Sequence, residues 1–333
     1  MTPDSLRALL SDAYEAGTFN GAVVICKDGD IEFEEYFGVK DAGGDTLTRT
    51  SAFRLASLSK AYTAAGVLRL CDQGKLDLDG PVQAVMPEFP YADVTPRHLL
   101  NHTSGIADMY LDAAETNKDS LAPLLTISEV VDMVNTQPWP KRPAGEVFEY
   151  SNTGYVFAAG LIEHVSGQTF EEFMRTELFE PMGMANTRVW NLTSADSTFE
   201  GKTSGFEWVQ GKRIPVEPMW VDGVAGDGAV FTCGADLIKW ERFWWQGNPR
   251  INDELLKAAF ANPTTADGQI TDYGLGWDLG EGVQFHTGGW LAASTYIIRI
   301  PSERVMAVAY SNAGDDAMED IVLAIDRALG VEE

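Results

Sequence analysis

Along residues 4–16, Leu6, Leu9, Leu10 and Tyr14 recur at helical spacing and Gly17 follows, which predicts an amphipathic helix stopped by that glycine. Two apolar-rich runs, 21–26 and 31–37, flank Lys27-Asp28-Gly29-Asp30, whose Asp-Gly pair signals a hairpin between antiparallel strands. From Ser57 the texture changes to helix and loop. Residues 61–73 read as strongly helical, closed by a turn over 74–80, and strand signals are then scarce until about residue 200. Further helices are predicted over 96–101, 127–136, 153–166 and 168–177, with Gly167 as a cap between the last two. Pro138, Pro140 and Pro143 punctuate the approach to a segment over 145–152.

Strand signals return late in the chain. The run 226–232 precedes an apolar helix at 234–246, and 273–279, 283–286, 294–300 and 304–310 read as successive strands. A last helix over 316–329 carries Met318, Ile321, Val322, Ile325 and Leu329 on one stripe. Strands at both ends with helices between predict an α/β or α+β sheet domain from residues 1–55 and 200–333, interrupted by a mostly helical domain over 56–199, with the two termini packed together.

Composition narrows the partners. With 45% hydrophobic and 22% charged residues in 333, the chain is ordinary globular material with ample core. A formal charge of −26 makes nucleic acid an unsuitable partner, and no basic amphipathic helix of the membrane-docking kind is visible. Cys26, Cys71 and Cys233 are odd in number and widely spaced, so neither a disulfide framework nor a zinc site is expected, and free thiols fit a reducing compartment. The first ten residues lack a basic start and a long apolar run, and a cytoplasmic location is the expectation.

Three short stretches could carry chemistry. Ser57 and Lys60 stand three residues apart at a predicted helix start, where positions i and i+3 share a face and the amine can reach the hydroxyl. A serine hydroxyl is a weak nucleophile until a neighbouring base removes its proton, and a helix start favours negative charge developing nearby. Taken alone, the pair reads equally as an N-cap serine followed by a solvated lysine. Tyr150-Ser151-Asn152 follows a Pro/Gly-rich loop and precedes a helix. An ordinary phenol ionises near pH ~10, so a tyrosine serves as base only with cations such as Lys60 beside it, whereas Asn152 offers both donor and acceptor. The same tripeptide also reads as a capping turn. His286-Thr287-Gly288-Gly289-Trp290 ends one strand and leads through a glycine pair to the next, either as a plain hairpin turn with His286 exposed or as a place where a ligand meets the backbone.

Taken together, Ser-x-x-Lys, Tyr-x-Asn and His-Thr-Gly, in that order, resemble the serine β-lactamase and penicillin-binding protein superfamily, in particular the branch with class C β-lactamases, D-stereospecific peptidases and family VIII-type carboxylesterases. Asn101-His102-Thr103-Ser104-Gly105 and the run from Gly226 add to the likeness, which spans roughly residues 15–325. The resemblance implies a β-lactamase/transpeptidase-like fold, an antiparallel sheet flanked by helices with the site between sheet and helical domains. It implies Ser57 as acyl-accepting nucleophile, Lys60 and Tyr150 sharing proton traffic, and backbone N–H groups of Ser57 and Gly289 as oxyanion hole. Asn152, His286, Thr287, Gly288 and Trp290 would contact substrate, and no metal or cofactor is required. The expected activity is hydrolysis of an ester or amide in a small molecule or short peptide. Alternatives are a true β-lactamase, a D-Ala-D-Ala carboxypeptidase, or a non-catalytic binding module. One departure bears on this choice: His286 stands where lactamases carry lysine, and a mostly neutral imidazole is poorly suited to a penicillin carboxylate.

Other side chains read as structural. Trp240, Trp244 and Trp245 at helical spacing belong to a core, while Trp290, and more weakly Trp208 and Trp220, could wall a pocket. By the resemblance His102 stabilises its loop. His98 and His164 have no partner at metal spacing, and Asp227 between two glycines reads as a turn residue.

Overall fold

The computed structural model describes residues 2–116, 123–136, 142–245 and 250–331. Pro138 and Pro140, and residue 246 of the predicted helix 234–246, lie outside the described residues. The chain opens with α1 (Pro3–Ala16), N-capped by Thr2 and closed by Gly17 in the left-handed region at φ 73°. Then β1 (Gly21–Lys27) and β2 (Asp30–Phe37) form the expected hairpin. Asp28 and Gly29 both have positive φ, 52° and 86°, which is what a tight hairpin turn demands.

A two-residue strand β3 (Phe53–Arg54) leads through a short 3₁₀ turn, Ala56–Leu58, into α2 (Ser59–Asp72). Helices α3 (Pro96–Leu100), α4 (Met109–Thr116), α5 (Ile127–Thr136), α6 (Asn152–Ser166) and α7 (Phe170–Met174) follow. The predicted helix 168–177 is divided, because after Met174 the chain widens into a π-helical turn, Arg175–Phe179. β4 (Arg188–Val189), the hairpin β5 (Phe206–Val209) and β6 (Lys212–Pro215), and β7 (Val230–Thr232) precede α8 (Gly234–Trp245) and α9 (Asp253–Ala258). Short elements such as α4, α9 and β4–β6 offer too few residues for a periodic signal.

The last third completes the sheet with β8 (Asp278–Gly280), β9 (Val283–Trp290), β10 (Ala293–Ile300) and β11 (Val305–Ser311), and α10 (Met318–Leu329) closes the chain. The six-stranded order is β2-β1-β11-β10-β9-β8, with antiparallel pairing throughout. The two ends of the chain therefore meet as neighbouring central strands. Both faces of this sheet are covered, so β1 and β11 read as nearly unbroken apolar runs rather than alternating ones. Val23, Ile25, Ala307 and Ala309 pack against Leu6 and Leu10 of α1 and Ile321 and Ile325 of α10. On the other face Ala22, Val24, Met306 and Val308 belong to one large core shared with α2, α6 and α8.

Two strand boundaries differ from expectation. Of 273–279 only the end is strand; Tyr273 bridges back to Asp278 around Gly276, whose φ of 80° brings it against the backbone of Ala61 in α2. β9 does not stop at His286 but runs to Trp290, so the Gly288-Gly289 pair is strand, not turn. The turn falls at Leu291-Ala292, with Leu291 at φ 54°. Beneath the sheet, Arg299 of β10 and Glu241 of α8 form a fully buried ion pair at 2.7 Å, and Arg299 also donates to Gln284.

Candidate active site

Ser57 occupies the 3₁₀ turn rather than α2 itself. Ala56 just before it holds φ 48°, a left-handed conformation that costs a residue with a side chain of order 1–3 kcal/mol and persists only under external restraint. That restraint is visible: Leu55 N–H donates to Val230 O at 2.9 Å, Thr295 Oγ1 donates to Leu55 O at 2.8 Å, and Val230 N–H donates to Ser59 Oγ at 3.0 Å. The turn is thereby tied to β7 and β10 at once.

One turn on, Lys60 is wholly buried, and its ammonium is saturated. It donates to Ser57 Oγ at 3.1 Å, to Asn152 Oδ1 at 2.7 Å and to the Asp227 carbonyl at 3.2 Å. A three-donor ammonium with three acceptors can sit out of water at tolerable cost. The ammonium also lies 4.8 Å from the centroid of the Tyr150 ring and 5.6 Å from that of Tyr155. This is the opposite of the solvated lysine that the motif alone allows.

Asn152 is the first residue of α6, whose N-cap is Ser151, accepting from Gly154 N–H at 3.0 Å. Capping turn and site residue are thus the same tripeptide. The Asn152 amide is oriented by a residue with no motif around it: Asp108 accepts from Asn152 Nδ2 at 2.7 Å and from Thr153 N–H at 2.9 Å. Since Nδ2 must face the carboxylate, Oδ1 must face Lys60. Tyr150 is over a third exposed, and its ring lies against that of His102 at a tilt of 33°, with centroids 4.2 Å apart. His102 Nδ1 accepts from Ser151 N–H at 3.1 Å, and burial pushes this imidazole well below the ordinary histidine range. It is a loop-holding side chain, buried under the tyrosine.

β9 supplies the opposite wall. Beyond Phe285 this strand has no β8 partner, and its free edge packs on the Ser57 turn. A Cβ on Gly288 would lie 2.4 Å from Leu55 O and 3.0 Å from Ser57 N, so only glycine permits this approach. A Cβ on Gly289 would meet nothing within 4 Å, because that residue faces open space beside Ser57. Thr287 is exposed on the same edge.

His286 corrects the sequence expectation of a substrate contact. It is 3% exposed, and its Nδ1–H donates to Thr287 O at 2.5 Å while Nε2 accepts from Tyr273 O–H at 2.9 Å. Burial, and secondarily the Lys60 charge, lower its pKa to about 3. Strand alternation turns it inward with Gly288, away from Thr287 and Gly289.

The cleft itself is a cavity of about 80 Å³ bordered by Ser57, Asn152, Gly289 and Trp290, together with Arg54, Tyr110, Asp222 and Asp227. Lys60, Tyr150 and Thr287 do not border it. Asp222 ties the far wall together, accepting from Arg54 at 2.7 Å and from Trp290 Nε1–H at 2.8 Å. Asp227 is no mere turn residue: its buried carboxyl accepts from Tyr110 O–H, and burial raises its pKa above the usual carboxylate range. Arg54, Asp108, Tyr110 and Asp222 carried no sequence signal, since each joins the site only through contacts distant along the chain. Trp240 and Trp244 are core, as expected, and Trp290 alone of the three candidate pocket tryptophans borders the cleft. Among the described residues no three His, Cys, Asp or Glu side chains gather as a metal site, and no helix is long and apolar enough to cross a membrane.

A doubly covered antiparallel sheet in which the glycine-bearing end of β9, free of β8, abuts a serine turn and a buried lysine helix is the β-lactamase/transpeptidase-like fold. The chain belongs to the Beta-lactamase family, whose model matches residues 6–332. It is 33% identical to Penicillin-binding protein 4* of Bacillus subtilis (strain 168), covering 93% of this chain and 72% of that protein. It is 26% identical to a D-aminopeptidase of Gluconobacter oxydans (strain 621H), of which it spans 59%. Among solved structures, the octameric penicillin-binding protein homologue from Pyrococcus abyssi matches with a TM-score of 0.82 at 25% identity, over 99% of this chain and 78% of that one. The D-amino acid amidase from Ochrobactrum anthropi SV3 matches with a TM-score of 0.74 at 23% identity, over 98% and 97% of the two chains.

Proposed function

We propose that the protein is a serine hydrolase that cleaves an ester or amide, in a small molecule or short peptide, through an acyl-Ser57 intermediate. The observation that carries this reading is the Lys60 ammonium held between Ser57 Oγ and Asn152 Oδ1 at the edge of an open cleft. The step needs the Lys60 amine in its neutral form: having released one proton to solvent, it takes the hydroxyl proton, with Tyr150 beside it, as Ser57 Oγ attacks the carbonyl carbon, and becomes the ammonium. The N–H groups of Ser57 and Gly289 receive the developing oxyanion. The tetrahedral species collapses as Tyr150 gives its proton to the leaving group and is re-protonated by the Lys60 ammonium, which returns to the amine; water then hydrolyses the acyl-serine with the same groups taking its proton and returning one to Ser57 Oγ. Asn152 aligns Lys60 and a substrate amide.

Carboxylesters and D-aminoacyl amides are the substrate classes, the second in keeping with the D-aminopeptidase and D-amino acid amidase among its relatives. Efficient β-lactam hydrolysis is not part of the proposal, because a buried neutral His286 leaves no cation at the third motif for a penicillin carboxylate. The test is a screen of short-chain esters, D-aminoacyl amides and nitrocefin with Ser57→Ala as blank. Loss of both turnover and labelling by a serine-reactive phosphonate in a folded Ser57→Ala protein is the expected result. Labelling retained in that variant would sink the assignment.

A further inference from the structure

Beyond Trp290 the cleft is continued by a second cavity, of about 120 Å³, and Arg54 and Trp290 border both. On a measure where one water needs about 10–15 Å³, this admits a carboxylate with several carbons. Its charge is the reverse of the protein's: in a chain of 50 acidic against 24 basic residues, the described lining holds Arg54 and Lys202 and no Asp or Glu. Arg54 is already balanced by Asp222. Lys202 is not. Its ammonium donates to Ser204 Oγ at 3.1 Å and lies 4.4 Å from the Trp190 ring and 5.5 Å from that of Phe231, and it makes no ion pair among the described residues. Burial, then the Arg54 charge, push this ammonium below the ordinary lysine value, with Asp41 as the opposing influence. An incoming anion would relieve that penalty. Ser204 accepts from Lys202, which leaves its own O–H free to donate.

We propose that this second cavity is a subsite for a carboxylate on the acyl portion of the substrate, received by Lys202, Arg54 and the Ser204 hydroxyl. The proposal rests on the acyl-serine reading of Ser57. The acyl side is assigned because Tyr150, which protonates the leaving group in that reading, does not border the first cavity, whereas Asn152 and Gly289 do. An acyl chain that fills the first cavity then points past Trp290 into the second. Anion recognition is thereby moved along β9, from the third motif, where His286 is buried, to the far side of Gly289.

The test compares p-nitrophenyl esters of glutaric acid and of butyric acid. In Lys202→Met the ratio of kcat/KM, glutarate over butyrate ester, falls at least about tenfold, as loss of a charge-assisted contact requires, and Lys202→Arg restores most of it. The ratio is internal to each variant, so partial misfolding does not imitate the result. An unchanged ratio in Lys202→Met overturns the subsite. Independently of any turnover, glutarate is titrated into wild type and Lys202→Met, followed by tryptophan fluorescence from Trp190 and Trp290 at the cavity wall. Tighter glutarate binding by wild type supports the subsite, even if neither ester shows Ser57-dependent hydrolysis and the hydrolase reading fails. Wild type binding no better than Lys202→Met overturns it.

Discussion

The Lys60 ammonium lies 2.7 Å from Oδ1 of Asn152, a residue 92 positions further along the chain. This contact joins two short motifs into one hydrogen-bonded unit, and it stands on Asp108, which fixes the amide by holding Nδ2. Asn152→Ala is therefore expected to lower kcat/KM by about 10²-fold or more on any Ser57-dependent substrate. Asp108→Ala acts through Asn152, so it should lower kcat yet add little in the double variant. A double-mutant cycle on kcat checks this, and simple additivity would contradict it.

Gly288 and Gly289 are chemically identical and structurally unlike. A methyl group at Gly288 runs into Leu55 O and Thr295 Oγ1, at 2.4 and 2.5 Å. Gly288→Ala should destabilise the protein by about 1–3 kcal/mol and push β9 off the Ser57 turn, with loss of turnover. Gly289→Ala, facing open space, should unfold within about 0.5 kcal/mol of wild type. Urea denaturation of the two variants is the measurement, and equal stability would refute the close approach.

His286 makes a pH prediction. Its folded pKa of about 3 lies below the ordinary 6.5, so between those values the unfolded chain binds a proton that the native protein does not. Stability from this group is full above about pH 6.5 and is lost progressively as pH falls toward 3, by an amount of order several kcal/mol. Buried His102 acts in the same direction. His286→Asn should flatten the fall in unfolding free energy between about pH 6.5 and 4, read by urea titrations at each pH. A slope equal to wild type would mean that His286 titrates normally.

Much of the fold was legible. The α1 helix, the β1–β2 hairpin and the α10 stripe were plain because their signals are local: a period of 3.6 ending at Gly17, an Asp-Gly turn, a single apolar face. The end of β9 is not legible in the sequence, for an equally physical reason. Two glycines in sequence look like a turn, but here they serve close packing against Leu55 and an open wall beside Ser57, and the turn fell to Leu291-Ala292, which carries no turn signature.

At the candidate site, residue types and spacing pointed to three short stretches that the fold brings together: Lys60 donates to Ser57 and Asn152, Tyr150 lies beside the Lys60 ammonium, and Gly289 borders the same cleft as Ser57. Sequence could not show which way a strand residue faces or what lies across the cleft. That His286 points inward, that Asp108 orients Asn152, and that Arg54, Asp222 and Trp290 join one wall are decided by strand register and by contacts between distant segments. The motifs are local; the shape and charge of the space around them exist only once the sheet closes on the helices.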